Sequence, residues 1–243
     1  MAREVHVFRL GTVPYAEAHT LQEQLVLARQ RGLIPDTLLA LEHAPVVTLG
    51  RGAKNEEHLR VPREALRARG IDVHEVGRGG DVTYHGPGQM VCYPILDLAP
   101  DRQDVRRYVR DLEQTMIDVA SDYGLKAERI DGKETIGVWL RSSELGDRKL
   151  GALGVRISRW VTMHGIAINV RTNLAHFGLI VPCGIQDKGV TSLAVELDAP
   201  PTVDEVIDRW LLRFAAQFDA TLVMREGDPL AGVDRAALQD ATV

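Results

Sequence analysis

Between positions 77 and 89 the chain reads Gly77-Arg78-Gly79-Gly80-Asp81-Val82-Thr83-Tyr84-His85-Gly86-Pro87-Gly88-Gln89. Six of these thirteen residues are glycine or proline, against about 12% for the two together in an average protein. No other stretch constrains the fold as strongly. Its backbone must pass close to a neighbour or take φ > 0 at several positions. The spacing matches neither the Walker phosphate loop nor the dinucleotide fingerprint: no Gly-Lys-Ser/Thr occurs, and an apolar strand-like run follows in place of a helix. The segment is therefore expected to line a pocket between strands, with Thr83, Tyr84, His85 and Gln89 supplying its few polar groups. A structural turn holding a satisfied histidine is the alternative.

Around this run, apolar periodicity alternates between two and about 3.6 residues. Strands are expected at 5–10, 37–41, 46–49, 72–76, 90–98, 136–140, 150–157 and 162–170. Helices are expected at 16–31, 62–69, 103–123 and 202–218, the first three ended by Gly32, Gly70 and Gly124. Thr202 should cap the last, with Asp204 and Glu205 in its first turn. No repeat or low-complexity linker divides the 243 residues. One mixed α and β domain over 1–243 is the economical reading. Its core should run from about 5 to 218, with a polar tail at 225–243 that frays.

The 45% hydrophobic and 26% charged fractions are those of a soluble globular protein. No apolar run approaches the ~20 residues of a membrane span, and Glu4 interrupts the N-terminus where a signal peptide would be apolar. A cytoplasmic location follows, with no membrane partner. Two cysteines, Cys92 and Cys183, are too few for a disulfide framework or a structural zinc site. The eight histidines include no His-x-x-x-His arrangement, so no metal is expected.

Net charge is −5; from Glu196 onward ten acidic and four basic residues give −6, leaving about +1 for 1–195. Basic runs occur at 51–69 and at 148–159, the second (Arg148, Lys149, Arg156, Arg159) without an acid. Either they are solvated faces or they form a docking surface for an acidic partner. Nucleic acid fits poorly with the overall acidity and the lack of a basic-aromatic module.

Two further segments carry candidate chemistry. Lys149 opens the strand-like Lys149-Leu150-Gly151-Ala152-Leu153-Gly154-Val155, whose small residues leave room for a slender apolar ligand; a lysine at a strand end is otherwise a solvated charge. Cys92 lies in an apolar strand and reads as a core thiol. Cys183 is flanked by Pro182 and Gly184, with no room for a regular element on either side; such a turn presents a side chain, although a core thiol closing an apolar run stays open.

Taken together, the glycine-rich run, Lys149 with Gly151-Ala152, His164-Gly165 with Asn169, and Pro182-Cys183-Gly184 resemble the octanoyl-acyl-carrier-protein:protein octanoyltransferases. These form the lipoate-biosynthesis branch of the biotin and lipoate protein ligase superfamily. The likeness extends from about residue 5 to 218 and includes the 34-residue gap between Lys149 and Cys183. Gly151 departs from the alanine common there, and the acidic tail has no counterpart role.

The resemblance implies an α+β fold, a single domain of mixed, largely antiparallel sheet with helices packed outside, and a Cys183/Lys149 dyad. Cys183 would take octanoyl from octanoyl-acyl carrier protein as a thioester. It would pass the group to a lysine on the lipoyl domains of 2-oxoacid dehydrogenase E2 subunits and of the glycine cleavage H protein. It also implies that Arg78, Gly79, Gly80, Asp81, Val82, Thr83, Tyr84 and His85, with Ala152, Leu153, Gly154, Gly165, Ile166 and Ala167, hold the acyl chain. His85 and His164 read as pocket histidines. The chemistry is consistent: a free thiol is only a few per cent thiolate at pH 7, and a nearby ammonium favours the thiolate. Once the cysteine is acylated, the lysine can act as general base towards the incoming amine. Backbone N–H groups of the glycine-rich segments, Cys183 and Gly184 are candidate oxyanion donors. A thioester donor is already activated, so neither ATP nor another cofactor is implied. An ATP-dependent lipoate or biotin ligase of the same superfamily would need no cysteine nucleophile, and a non-catalytic acyl-binding module would need neither dyad residue.

Overall fold

A computed structural model describes residues 3–53, 57–132, 135–181 and 188–238. The chain runs β1 (Arg3–Val13), α1 (Tyr15–Gln30), β2 (Asp36–His43), β3 (Val46–Leu49), α2 (Arg63–Arg67), β4 (Asp72–Glu75), β5 (Val82–His85) and β6 (Gln89–Ile95). It continues with α3 (Val105–Asp122), β7 (Ala127–Glu128), β8 (Val138–Leu140), β9 (Arg148–Ser158), β10 (Val161–Asn169), a 3-10 turn (Leu174–Leu179), β11 (Gly189–Val190), α4 (Leu193–Glu196), α5 (Val203–Phe218) and β12 (Ala220–Arg225). A last 3-10 turn covers Ala236–Leu238.

The main sheet has the order β12-β1-β2-β6-β10-β9-β8-β7, with β11 added beside β9. β1 runs parallel to both β2 and β12, while the β2–β6–β10–β9–β8–β7 steps are antiparallel. The sheet is thus mixed and mostly antiparallel, as the resemblance implies. A second sheet, β4-β3-β5, stands beside it.

Strand alternation sorts side chains onto the two faces of the main sheet. Val5, Val7, Leu38, Ala40, Met90, Cys92, Ile166 and Ile168 share a core with the inner faces of α3 and α5. Their neighbours Phe8, Leu39, Leu41, Val91, Tyr93, Ile95 and Ala167 share the opposite core with α1. Helices therefore cover both faces, and Cys92 is a core residue whose thiol is pushed far up by burial. The helices are capped as their sequences suggest. Asp104 accepts from the backbone N–H groups of Arg106 and Arg107 (2.9 and 3.0 Å), and Thr202 forms a full capping box with Glu205. Gly124 takes φ +76° where α3 ends.

One expectation needs correction. The tail expected to fray from residue 225 is docked as far as 238: Leu230 and Leu238 are buried in the α1-side core. Among a polar majority, two well-placed leucines are enough to seat it. No described helix is long and apolar enough to cross a membrane.

Candidate active site

The glycine-rich run folds as a close backbone crossing. Gly50, Arg51 and Gly52 donate to the carbonyls of Asp81, Arg78 and Gly80 (3.0, 3.1 and 2.9 Å), while Gly79 N–H donates to Val155 O of β9 at 3.0 Å. A β carbon at Gly154 would lie 2.7 Å from Gly79 O, and one at Gly50 would lie 2.5 Å from Gly80 O. Such distances admit only glycine at 154 and 50; within the run itself Gly80 and Gly88 take φ +83° and +82°, and a β carbon at Gly86 would lie 2.0 Å from the Tyr84 hydroxyl oxygen.

The run opens onto a cavity of about 790 Å³, counting its mouth. It lies along the β9–β10 ladder, where Ala152 pairs with Ala167, Leu153 with Ile166 and Gly154 with Gly165. All six line it, together with Arg78, Gly80, Asp81, Val82, Thr83, His85 and Lys149. Two residues expected there are not in the lining. Gly79 is a backbone spacer against β9. Tyr84 sits on the opposite face of β5 from Thr83 and His85, buried against Phe177, with its hydroxyl 2.8 Å from His176 Nδ1.

Lys149 is 7% exposed, so it is no solvated strand-end charge. Its Nζ donates to Ile136 O at 3.1 Å and lies 4.6 Å from the centroid of the Trp139 ring. Its backbone sits where β9 exchanges neighbours: Lys149 pairs with Val190 of β11 on one side and Trp139 of β8 on the other. Cys183 lies outside the described residues, as do Pro182 and Gly184. The approach to them is described: Val181 N–H donates to His58 O at 2.8 Å, and the 3-10 turn Leu174–Leu179 comes just before. The turn expected around Cys183 itself lies outside the described residues.

Polar groups on the wall are held in defined protonation states. Gln89 Nε2 donates to Asn169 Oδ1 (2.9 Å) and Tyr84 O (3.2 Å), so its Oε1 accepts from His85 Nδ1–H at 2.7 Å. Asn169 is oriented in turn by donating to Thr191 O at 3.0 Å. His85 therefore keeps a bare Nε2, and burial lowers its pKa to about 3. His43 donates from Nδ1 to Val13 O (2.8 Å) and accepts at Nε2 from the Tyr93 hydroxyl (2.7 Å); burial lowers it to about 4. His164, with φ +61°, is lowered to about 3, again chiefly by burial. Its backbone N–H donates to Gln22 Oε1 at 2.9 Å. Tyr15 completes this wall, its ring 5.1 Å from His43 and 6.4 Å from His85, with a hydroxyl pushed up to about 12 by burial.

Sequence reasoning missed Tyr15, Tyr93, Ile136, Phe177 and Val190 of the lining. Helix register, strand pairing and, for Phe177, the 3-10 turn bring them in, and no local motif marks them. The arrangement can hold a slender apolar chain along the β9–β10 ladder, beside neutral histidines, the Arg78 and Asp81 side chains and the buried Lys149 amine. Among the described residues no three His, Cys, Asp or Glu side chains converge as a metal ion requires. Of the basic runs, Arg148 is bound to Glu196 and Arg63 to Glu75, whereas Arg51, Arg60, Arg67 and Arg69 are exposed.

The family model for the lipoyl protein ligase A/B catalytic domain matches residues 14–215. The chain is 48% identical to an octanoyltransferase of Chloroflexus aggregans over 218 residues, 89% of this chain and 96% of that protein. It is 44% identical to a mitochondrial octanoyltransferase of Arabidopsis thaliana over 228 residues, 93% and 94% of the two chains. Among solved structures, a bi-partite lipoate protein ligase of Thermoplasma acidophilum, studied with its E2 lipoyl domain, has a similar fold. Its TM-score is 0.74 over 98% of this chain and 93% of that one, at 16% identity.

Proposed function

The chain belongs to the lipoyl protein ligase A/B catalytic family and is an acyltransferase of the octanoyltransferase kind, and from that premise we propose that it works through a Cys183 thioester. The Cys183 thiolate attacks the thioester carbonyl of octanoyl-acyl carrier protein, and the carrier's thiol leaves with the proton that the Lys149 ammonium gives up. The ε-amine of a lysine on a lipoyl domain then attacks the acyl-cysteine. The S–C bond breaks, an amide forms, and the proton lost by the amine returns the system to its starting state. Lys149 is the partner that favours the thiolate first and accepts the amine's proton later.

The observation that carries this reading is Lys149 itself, a 7% exposed amine in the lining of a cavity that combines the small and apolar residues of the β9–β10 ladder with a few polar side chains. A buried amine beside convergent polar groups in such a cavity is a candidate for chemistry. The same lining gives Arg78, Gly80, Asp81, Val82, Thr83, His85, Ala152, Leu153, Gly154, Gly165, Ile166 and Ala167 their proposed part in holding the acyl chain. Gly79 and Tyr84 would act from behind it. On this reading the donor arrives activated, so ATP and metal are dispensable. The acceptors are E2 lipoyl domains and the glycine cleavage H protein, the whole chain acts as one domain, and the setting is cytoplasmic.

Intact-protein mass spectrometry tests the reading. Wild type incubated with octanoyl-acyl carrier protein should gain one octanoyl group, and Cys183→Ala should gain none. An equal adduct on Cys183→Ala would remove the nucleophile. Lys149→Ala should retain its fold and lose most of the transfer rate; a near-normal rate would remove Lys149 from the mechanism. The similar fold of a lipoate protein ligase makes a ligase the second reading. Lipoyl-domain modification with octanoate and ATP, but not with the acyl carrier, would favour it.

A further inference from the structure

The segment after β12 lies beyond the part of the chain that the family model matches, which ends at residue 215, and nothing in the chemistry above uses it. It is nevertheless built. Asp228 accepts from Leu230 N–H (3.0 Å) and pairs with Arg235 (2.6 Å), and Asp234 accepts from Ala236 N–H (3.0 Å). These local bonds shape residues 228–238 into a pad. Leu230 and Leu238, 1% and 2% exposed, enter the apolar cluster that holds Ala18 and Leu25 of α1, with Val233 packed against it.

The same helix reaches the cavity from its other flank. Tyr15, His19 and Gln22 recur at the i, i+4, i+7 spacing that places them on one face. Tyr15 lines the cavity, the His19 ring lies 5.6 Å from that of His164, and Gln22 Oε1 accepts from His164 N–H. No side-chain cap holds the helix at this end: Pro14 is its N-cap, and Tyr15 is held by ring contacts such as those with His43 and His85. A helix of this length owes its position to packing. Here that packing comes from β10, β6 and β2 of the sheet and from the pad.

We infer that residues 228–238 are a positioning element for acyl binding: by seating α1 they fix Tyr15, His19 and Gln22 against the cavity, and Leu230 and Leu238 govern how closely the acyl chain is held. This rests on the octanoyl reading of the cavity. Loss of the pad loosens one wall and leaves the Lys149 end untouched, so affinity and chain-length preference should change while turnover does not.

The test uses full-length protein carrying Leu230→Ala, Leu238→Ala or the milder Val233→Ala. Steady-state transfer is measured from hexanoyl-, octanoyl- and dodecanoyl-acyl carrier protein. The leucine variants should raise KM for the octanoyl donor about three- to tenfold with kcat within about twofold, and Val233→Ala should raise it about twofold. The preference for octanoyl over dodecanoyl should flatten, and Leu238→Met should restore it. A purely structural role would lower Tm and the active fraction while leaving KM and chain-length preference as in wild type; that result overturns the inference. Should the leucine variants fail to fold, an unchanged KM and preference in Val233→Ala overturns it equally. A wild type that transfers no octanoyl would instead sink the underlying reading of the cavity.

Discussion

Gly165→Ala is the substitution whose cost the geometry fixes most directly. Gly165 faces Gly154 across the β9–β10 ladder, and its next neighbour on β10, Ile166, pairs with Cys92 of β6. A β carbon at 165 would stand 2.2 Å from Cys92 O and 2.8 Å from Pro94 Cδ. Close carbon–oxygen contacts settle near ~3.3 Å or more, so β6 and β10 would have to part by about 1 Å. One obstacle is a carbonyl and the other a ring closed on the backbone, so no rotamer change relieves the clash. Overpacking of this kind costs about 1–3 kcal/mol. With backbone as the obstacle the upper end applies, about 3 kcal/mol. At ~2–4 °C per kcal/mol for a chain of this size, Tm should fall by about 6–12 °C. Gly178→Ala is the control: a β carbon there meets nothing within 4 Å. It should change stability by no more than about 1 kcal/mol, in the stabilising direction. Thermal melts followed by circular dichroism decide the matter. If Gly165→Ala melts within about 2 °C of wild type, strand spacing at the cavity floor is not what makes glycine necessary there.

Two other outcomes follow from the polar wall. His43, His85 and His164 are held neutral by burial, at about 4, 3 and 3 against an ordinary 6.5. Below pH ~6.5 the unfolded chain takes up protons that the folded one refuses. Stability is therefore full above that pH and is lost as pH falls towards 4, with a slope approaching about 4 kcal/mol per pH unit for three protons. Urea midpoints at pH 7, 6 and 5 measure this, and a flat profile would contradict the neutral assignment. Gln89→Leu strands both His85 Nδ1–H and Asn169 Oδ1, two buried groups at ~1–3 kcal/mol each. A loss of about 2–4 kcal/mol in urea denaturation is expected, and less than about 1 kcal/mol would mean that the relay is not intact in solution.

Much of this was legible in the sequence, and its limits have physical causes. The helices were readable because Gly32, Gly124 and Thr202 mark their ends and their apolar stripes are long. The glycine density correctly signalled close backbone crossing, yet it hid β5, a four-residue strand inside the same run. Once β5 is known, period-two alternation explains why Thr83 and His85 face the cavity and Tyr84 does not. Tyr15 and Gln22 were out of reach: they lie more than 140 residues before His164, and only tertiary packing brings α1 to β10. β12 was lost for a similar reason. Its six residues have no strong alternation, and pairing with β1 makes them a strand.

That last pairing has a consequence during synthesis. β1 is an interior strand of the sheet, flanked by β2 and β12, and Arg3 pairs with Ala220, 217 positions later (220 − 3). On a ribosome adding ~5–20 residues per second, one edge of β1 stays without its neighbour for roughly 10–40 seconds after the strand is made. Through that interval the nascent chain presents the backbone donors and acceptors of an unpaired strand, the feature that invites pairing with the wrong partner. An unpaired strand edge through most of synthesis is the exposure that pairing β1 with the last of the described strands entails.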